Sequence, residues 1–257
     1  MISHPFALFV PGSVEEAVGL AARYGSEARA LAGGTVLVAE MNRAACRPGV
    51  VIDLSRCGLA NATSAGFGAM ATYRQLAALP GLLGRVARGI MGGPQIRNRA
   101  TAGGSACHAN PSSDVPAVLV ALKATLVLAS DAGERRLSAA EFFLDAFSTA
   151  VQPGELLVSV ELPALGPEVR FGYSKLKFGE SSWPILTAIA IVGPGDMLRV
   201  VLGAAAAVPV AVEVSRASDL DDAVRGALVE PWSDVLASSE YRRRVAPGVA
   251  RRALEAA

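Results

Sequence analysis

Apolar positions recur along this chain with two periods, and the points where the period changes locate its elements. Phe6 to Val10 is an apolar run of strand character, closed by Pro11-Gly12-Ser13. Beyond it Val14, Ala17, Val18 and Ala21 fall on one helical face, and Ser13 with Glu16 three residues later forms a capping box. Ala28 to Leu31 reads as a short strand, Val36 to Asn42 as a helix and Gly49 to Leu54 as a buried strand. This β-α-β-α-β rhythm predicts a small, largely parallel unit.

From Ala65 the pattern changes. A short strand over Phe67 to Ala71 precedes helices over Tyr73 to Leu79, Leu82 to Met91 and Pro116 to Leu122. Ala124 to Ala129 and Leu156 to Leu162 read as strands, with the aromatic segment Glu141-Phe142-Phe143-Leu144 between them. Pro163 to Pro167 is a linker candidate. Val169 to Phe178, Thr187 to Val192 and Leu198 to Ala204 predict a three-stranded antiparallel sheet, with helices over Asp219 to Leu228 and Tyr241 to Ala256 packed on it. The expected units are therefore residues 1–55, 56–163 and 168–257.

Composition narrows the class. With 257 residues, 52% hydrophobic and 18% charged, the chain can bury a sizeable core. A net charge of +1 gives no electrostatic footprint for nucleic acid. No run approaches ~20 uninterrupted apolar residues, so no membrane span is expected. The start, Met1-Ile2-Ser3-His4-Pro5, lacks signal-peptide character, which points to a cytoplasmic protein. Cys46, Cys57 and Cys107 are widely spaced, without a C-x-x-C pair, and cannot by themselves hold an iron–sulfur cluster or a four-ligand zinc site. Two histidines, His4 and His108, exclude a histidine-rich metal site, and no metal ligands are expected.

The chemistry concentrates in two glycine loops, Ala32-Gly33-Gly34-Thr35 and Thr101-Ala102-Gly103-Gly104-Ser105. Glycine lets main-chain N–H groups come within bonding range of a ligand, and successive N–H groups in a turn make an anion site without any lysine. Two such loops facing one another suit a diphosphate, and so a dinucleotide. Neither matches G-x-G-x-x-G or the P-loop signature.

Other motifs stand in order around these loops: Met91-Gly92-Gly93, Gln95-Ile96-Arg97-Asn98, Ala109-Asn110-Pro111-Ser112-Ser113-Asp114, Glu155-Leu156-Leu157 and Ser238-Ser239-Glu240-Tyr241-Arg242-Arg243. The ordered set closely resembles the FAD-binding medium subunit of molybdenum hydroxylases, the family of carbon monoxide and xanthine dehydrogenase flavoproteins. The resemblance spans nearly the whole chain. It implies an α+β fold of the vanillyl-alcohol-oxidase (PCMH) type. It implies FAD held by Ala30, Leu31, Ala32, Gly33, Gly34, Thr35, Val36 and Leu37, and by Thr101, Ala102, Gly103, Gly104 and Ser105. Asp114 matches a residue on the nucleotide side of the cofactor, Leu157 and Lys175 match positions at the flavin end, and Met91 matches one that shields the flavin.

Two departures stand out: Ser105 replaces a common asparagine, and Leu176-Lys177-Phe178 follows Lys175 where the family carries arginine and aspartate. Simpler roles exist for several of these residues. Asp114 could cap a helix, Lys175 and Lys177 could be solvated edge lysines, His108 a structural histidine, Trp183 a core residue, and Arg242 to Arg244 a solvated helix face or subunit contact.

The function implied is an electron-transfer oxidoreductase subunit without catalytic acid or base. It would receive electrons from 2Fe-2S clusters on a small subunit, fed by a molybdenum cofactor on a large one, and pass them through FAD to NAD+, a quinone or another acceptor. The alternatives are a stand-alone flavin oxidoreductase of the same fold and a flavin-free assembly protein.

Overall fold

A computed structural model describes residues 2–195 and 197–257. The N-terminal unit runs β1 (Ala7–Phe9), α1 (Val14–Tyr24), β2 (Ala28–Leu31), α2 (Leu37–Asn42) and β3 (Val50–Asp53). Its three strands pair in parallel in the order β1-β3-β2, as the alternating rhythm predicts. Ser13 caps α1 by accepting from the Glu16 N–H at 3.2 Å. The Glu16 carboxylate returns to the Gly12 N–H, one residue earlier than in a strict capping box. Ala17, Val18 and Ala21 are the buried face of α1, and they share a core with Val50 and Ile52.

The middle of the chain runs β4 (Ala62–Thr63), β5 (Gly66–Gly68), α3 (Tyr73–Ala77), α4 (Gly81–Arg88), α5 (Gly93–Arg99), α6 (Ala102–His108), α7 (Asp114–Ala121), β6 (Thr125–Ser130), β7 (Gly133–Ser138), α8 (Ala139–Phe142), β8 (Phe143–Asp145), β9 (Ser148–Thr149) and β10 (Leu156–Glu161). Five of its strands form an antiparallel sheet, β4-β5-β10-β6-β7. One face of that sheet, through Val127, Ala129, Leu156 and Val158, joins the core of the N-terminal unit. The other carries α7, all eight residues of which are buried.

The second glycine segment corrects the expectation of a loop. Ala102 to Ser105 is the opening of α6, with the Thr101 hydroxyl accepting from the Gly104 N–H at 3.0 Å. A Cβ on Gly103 would lie 2.5–2.7 Å from Ala69, so glycine is what lets this turn lie on the strand connection beneath it.

The remaining elements are β11 (Arg170–Lys177), β12 (Pro184–Val192), β13 (Leu198–Gly203), β14 (Val210–Val214), α9 (Leu220–Ala227) and α10 (Ser239–Glu255). The sheet is an antiparallel meander of four strands, not the three expected, because Val210–Val214 adds an edge beside β13. Strand alternation divides β12 between two cores. Leu186, Ala188 and Ala190 face α9 and α10, while Ile189 and Ile191 join the core around α7. Arg242 is fully buried, against the expectation of a solvated face. Its guanidinium donates to the carbonyls of Ile185, Trp232 and Ala237 and to Asp234 at 2.8 Å, tying α10 to the start of β12. Trp183, proposed above as a core residue, is 37% exposed beside the turn before β12.

Candidate functional site: a cofactor cavity between two glycine segments

The first glycine segment leaves β2 and enters α2. Gly34 has φ +74°, a left-handed conformation that favours glycine. Among the described residues, none of the main-chain N–H groups from Ala32 through Leu37 finds a protein acceptor. Buried or half-buried N–H groups are nearly always paired, so six consecutive unpaired donors call for an acceptor from outside the chain. The arrangement is an anion nest opening onto a helix N-terminus.

Gly33 brings the second segment to the first. A Cβ on Gly33 would meet the Arg99 carbonyl oxygen at 1.9 Å and Ala100 Cα at 2.9 Å. A Cβ on Gly104 would come within 3.5 Å of the Ala32 methyl. The two segments are thus in direct contact although almost 70 residues separate them in sequence.

Between them lies a cavity of about 600 Å³, within the range of cofactor sites. Its wall includes Ala30, Ala32, Gly33, Gly34, Thr35, Val36, Leu37, Thr101, Gly103, Gly104, Ser105 and Leu157. Leu31 and Ala102 lie behind that wall; Ala102 is 1% exposed and donates its N–H to Ala71. The Ser105 hydroxyl accepts a short hydrogen bond from Tyr73, whose phenol is kept protonated by burial.

Arg29, Glu40, Cys107, His108 and the turn Gln152-Pro153-Gly154-Glu155 also line the cavity. Arg29, Glu40, Cys107 and the Gln152–Gly154 turn carry no cavity signal in the sequence beyond Pro153-Gly154 standing before a strand. Glu155 is held by a bidentate pair to Arg135 at 2.6 and 2.7 Å, and that bond keeps its carboxyl below the usual range. Cys107 is exposed on the cavity side, and desolvation by the surrounding protein raises its thiol pKa. His108 lies against Phe147 with tilted rings, centroids 5.3 Å apart, and desolvation lowers its pKa against the opposing charge of Glu40.

Asp114 and Lys175 are brought together, but not in the cavity wall. Strand alternation aims Tyr173, Lys175 and Thr187 from β11 and β12 at the first turn of α7, with Lys175 paired opposite Thr187. Lys175 Nζ lies 2.6 Å from Asp114 Oδ2, and the hydroxyls of Thr187 and Tyr173 donate to Asp114 Oδ1 at 2.9 and 3.1 Å. Lys175 also donates to the Gly89 carbonyl at 2.9 Å, two residues before Met91. Both side chains are nearly closed to solvent, at 9% and 3% exposure. Neither simple expectation holds here: Ser113 is the helix cap and Lys175 is no solvated edge lysine. Lys177 instead closes its own turn by donating to the Glu180 carbonyl.

No group of three or more His, Cys, Asp or Glu side chains among the described residues is placed to hold a metal ion. No helix among them is long and apolar enough to cross a membrane.

A main-chain anion nest joined to a second glycine segment over a cavity of cofactor size defines a dinucleotide-binding protein of mixed α+β architecture. Residues 4–165 match the family model described as the FAD binding domain in molybdopterin dehydrogenase. The carbon monoxide dehydrogenase medium chain of Hydrogenophaga pseudoflava is 30% identical over 100% of this chain and 98% of its own length. That of Afipia carboxidovorans is 31% identical with the same coverage. Among solved structures, carbon monoxide dehydrogenase from Hydrogenophaga pseudoflava superposes with a TM-score of 0.91 at 29% identity, over 100% of this chain and 98% of the other. Quinoline 2-oxidoreductase from Pseudomonas putida 86 gives 0.85 at 26% identity, over 100% and 98%. The chain belongs to this family: it is an FAD-binding medium subunit of the molybdenum hydroxylase type, an oxidoreductase flavoprotein with the PCMH-type fold.

Proposed function

We propose that this chain is the electron-transfer subunit of a multi-subunit, cytoplasmic molybdenum hydroxylase, standing between 2Fe-2S clusters and NAD+, a quinone or another acceptor. Its partners on this reading are a small 2Fe-2S subunit and a large subunit with the molybdenum cofactor. The relatives it resembles are named as medium chains or subunits of dehydrogenases, which supports an assembly of this kind. Bound FAD supplies a centre able to take one or two electrons.

The observation that carries the proposal is the run of six unpaired N–H groups from Ala32 to Leu37. Those groups suit a diphosphate, with added donors from the Gly103 N–H and the hydroxyls of Thr35 and Thr101. The main chain therefore binds the anion without a cationic side chain. Leu157 offers an apolar wall against which a flat ring can lie, excluding water from it. Asp114 and Lys175 act by fixing the first turn of α7 against β11, and Lys175 holds the Gly89 carbonyl next to Met91.

Reconstitution tests this directly. The full chain, stripped of flavin, should bind FAD with one equivalent per chain, and ADP should compete. A chain that stays colourless after reconstitution would remove the basis for the proposal. Co-purification with a cysteine-rich ferredoxin-like subunit and a large molybdenum subunit checks the assembly, and reduction of the flavin by substrate only in their presence checks the electron route.

A further inference from the structure

Most ionised groups on the cavity wall are already committed within the protein. Glu155 is taken by Arg135 and by the Gln152 N–H. Arg29 donates to the carbonyls of Ser26 and Ala28. Glu40 differs: it lines the same cavity from α2, and no side-chain hydrogen bond or ion pair to it exists among the described residues.

A carboxylate accepts and cannot donate, and beside a diphosphate it is repelled. Glu40 stands three residues beyond Leu37, the last of the unpaired donors, which places it about 4.5 Å further along the α2 axis. The chemical neighbours of a diphosphate within a dinucleotide are hydroxylated carbons on both sides. We propose that Glu40 binds the cofactor directly, its carboxylate accepting from vicinal hydroxyl groups next to the diphosphate, with the imidazole of His108 as its neighbour across the cavity. This rests on the FAD reading of the cavity.

His108 explains why the carboxylate stays available. Desolvation favours the neutral ring, and no ion pair joins the two side chains, so the carboxylate of Glu40 has its lone pairs open to a ligand. No other titratable group is paired with Glu40 across the cavity among the described residues. The vicinal hydroxyls have two sources in FAD, the ribose of the adenosine half and the ribityl chain of the flavin half.

The test is the affinity of the flavin-stripped full chain for FAD, ADP and FMN, measured by calorimetry for the wild type, Glu40→Ala and Glu40→Gln. Loss of a hydrogen bond to a charged acceptor should weaken FAD about 10- to 100-fold in Glu40→Ala, with Glu40→Gln losing less because it keeps an acceptor oxygen. An accompanying loss for ADP and not FMN assigns the ribose; a loss for FMN and not ADP assigns the ribityl chain. Thermal unfolding of the apo-protein should not change, since Glu40 has no partner within the chain to lose. Wild type that binds FAD while both variants bind all three ligands within about twofold overturns the assignment. Failure of the wild type itself to bind FAD would instead overturn the cavity reading on which it rests.

Discussion

Replacing Gly33 by alanine separates two roles that glycine can have in a binding loop. If glycine served only to let a ligand approach the backbone, Gly33 and Gly104 would be similarly sensitive. The structure makes them unequal. The methyl of Gly33→Ala would lie 1.9 Å from the Arg99 oxygen, 2.7 Å from its carbonyl carbon and 2.9 Å from Ala100 Cα, all main-chain atoms with no rotamer to relieve them. Ordinary contact begins at 3.4 Å, so the segments must part by about 1.5 Å. A hydrogen bond stretched by that distance is no longer one. Loss of two charge-assisted bonds, at about 1.5–3 kcal/mol each, weakens FAD roughly 100- to 10,000-fold. The strain on the fold is of order 1–3 kcal/mol, small enough for the chain to stay folded. In Gly104→Ala the nearest obstacle is the Thr101 hydroxyl at 2.8 Å, a side-chain group that can rotate away at the cost of a helix cap, about 1 kcal/mol. Flavin content of the purified chains and quenching of flavin fluorescence on titration give the comparison, with circular dichroism melts to report folding. A folded Gly33→Ala chain that binds FAD within threefold of wild type would refute the role assigned to the Gly33–Arg99 contact.

Three further outcomes follow from the same kind of contact. Lys175→Met strands the Asp114 carboxylate in a nearly closed site and should cost about 3–5 kcal/mol in urea unfolding, with Asp114→Asn added in the same chain recovering much of it; an additive double variant would contradict the coupling. Arg135→Ala should cost about 1 kcal/mol at neutral pH, discounted for the exposed arginine. Because Glu155 is depressed in the folded state, its contribution is present above the unfolded carboxylate pKa and lost as pH falls through the folded one. The gap between Arg135→Ala and wild type should therefore close in acid, and a gap constant with pH would count against it. Gly172→Ala drives a methyl to 1.7 Å from the Ala253 carbonyl, so it should destabilise the packing of α10 on β11 while FAD affinity in the folded fraction stays near wild type.

The N-terminal rhythm was readable because local signals agree there: a cap at Ser13, a helical face at Ala17, Val18 and Ala21, and a β3 buried from Val50 to Ile52. The second glycine segment was not, since two adjacent glycines cost about 1 kcal/mol each in a helix and so read as a loop. Burial of Gly103 on Ala69 and the Thr101 cap override that preference. Val210–Val214 does carry the strand period, in its valines at 210, 212 and 214, although only Val212 of this edge strand is buried. The β8–β9 hairpin is too short to display any period. The Asp114–Lys175 pair is invisible locally, because its partners are 61 residues apart and each has a commonplace explanation alone. Arg242 is the same case, with its carbonyl partners on β12 and the loop before α10.

Main-chain recognition also accounts for the departure at Ser105. Where a side chain does the binding, exchanging asparagine for serine would remove a ligand contact. On the proposed reading the anion donors are N–H groups, and the Ser105 hydroxyl accepts from Tyr73, itself buried in the core. The sequence therefore has to specify how closely the two segments approach, not which side chains decorate them. Gly33 against Arg99, Gly103 on Ala69 and Gly104 near Ala32 are the contacts that set this spacing. Each is a protein–protein contact, so the two glycine motifs are requirements of the scaffold before they are requirements of the cofactor. Removing the cofactor should then leave the segments in place, whereas removing Gly33 should part them whether FAD is present or not.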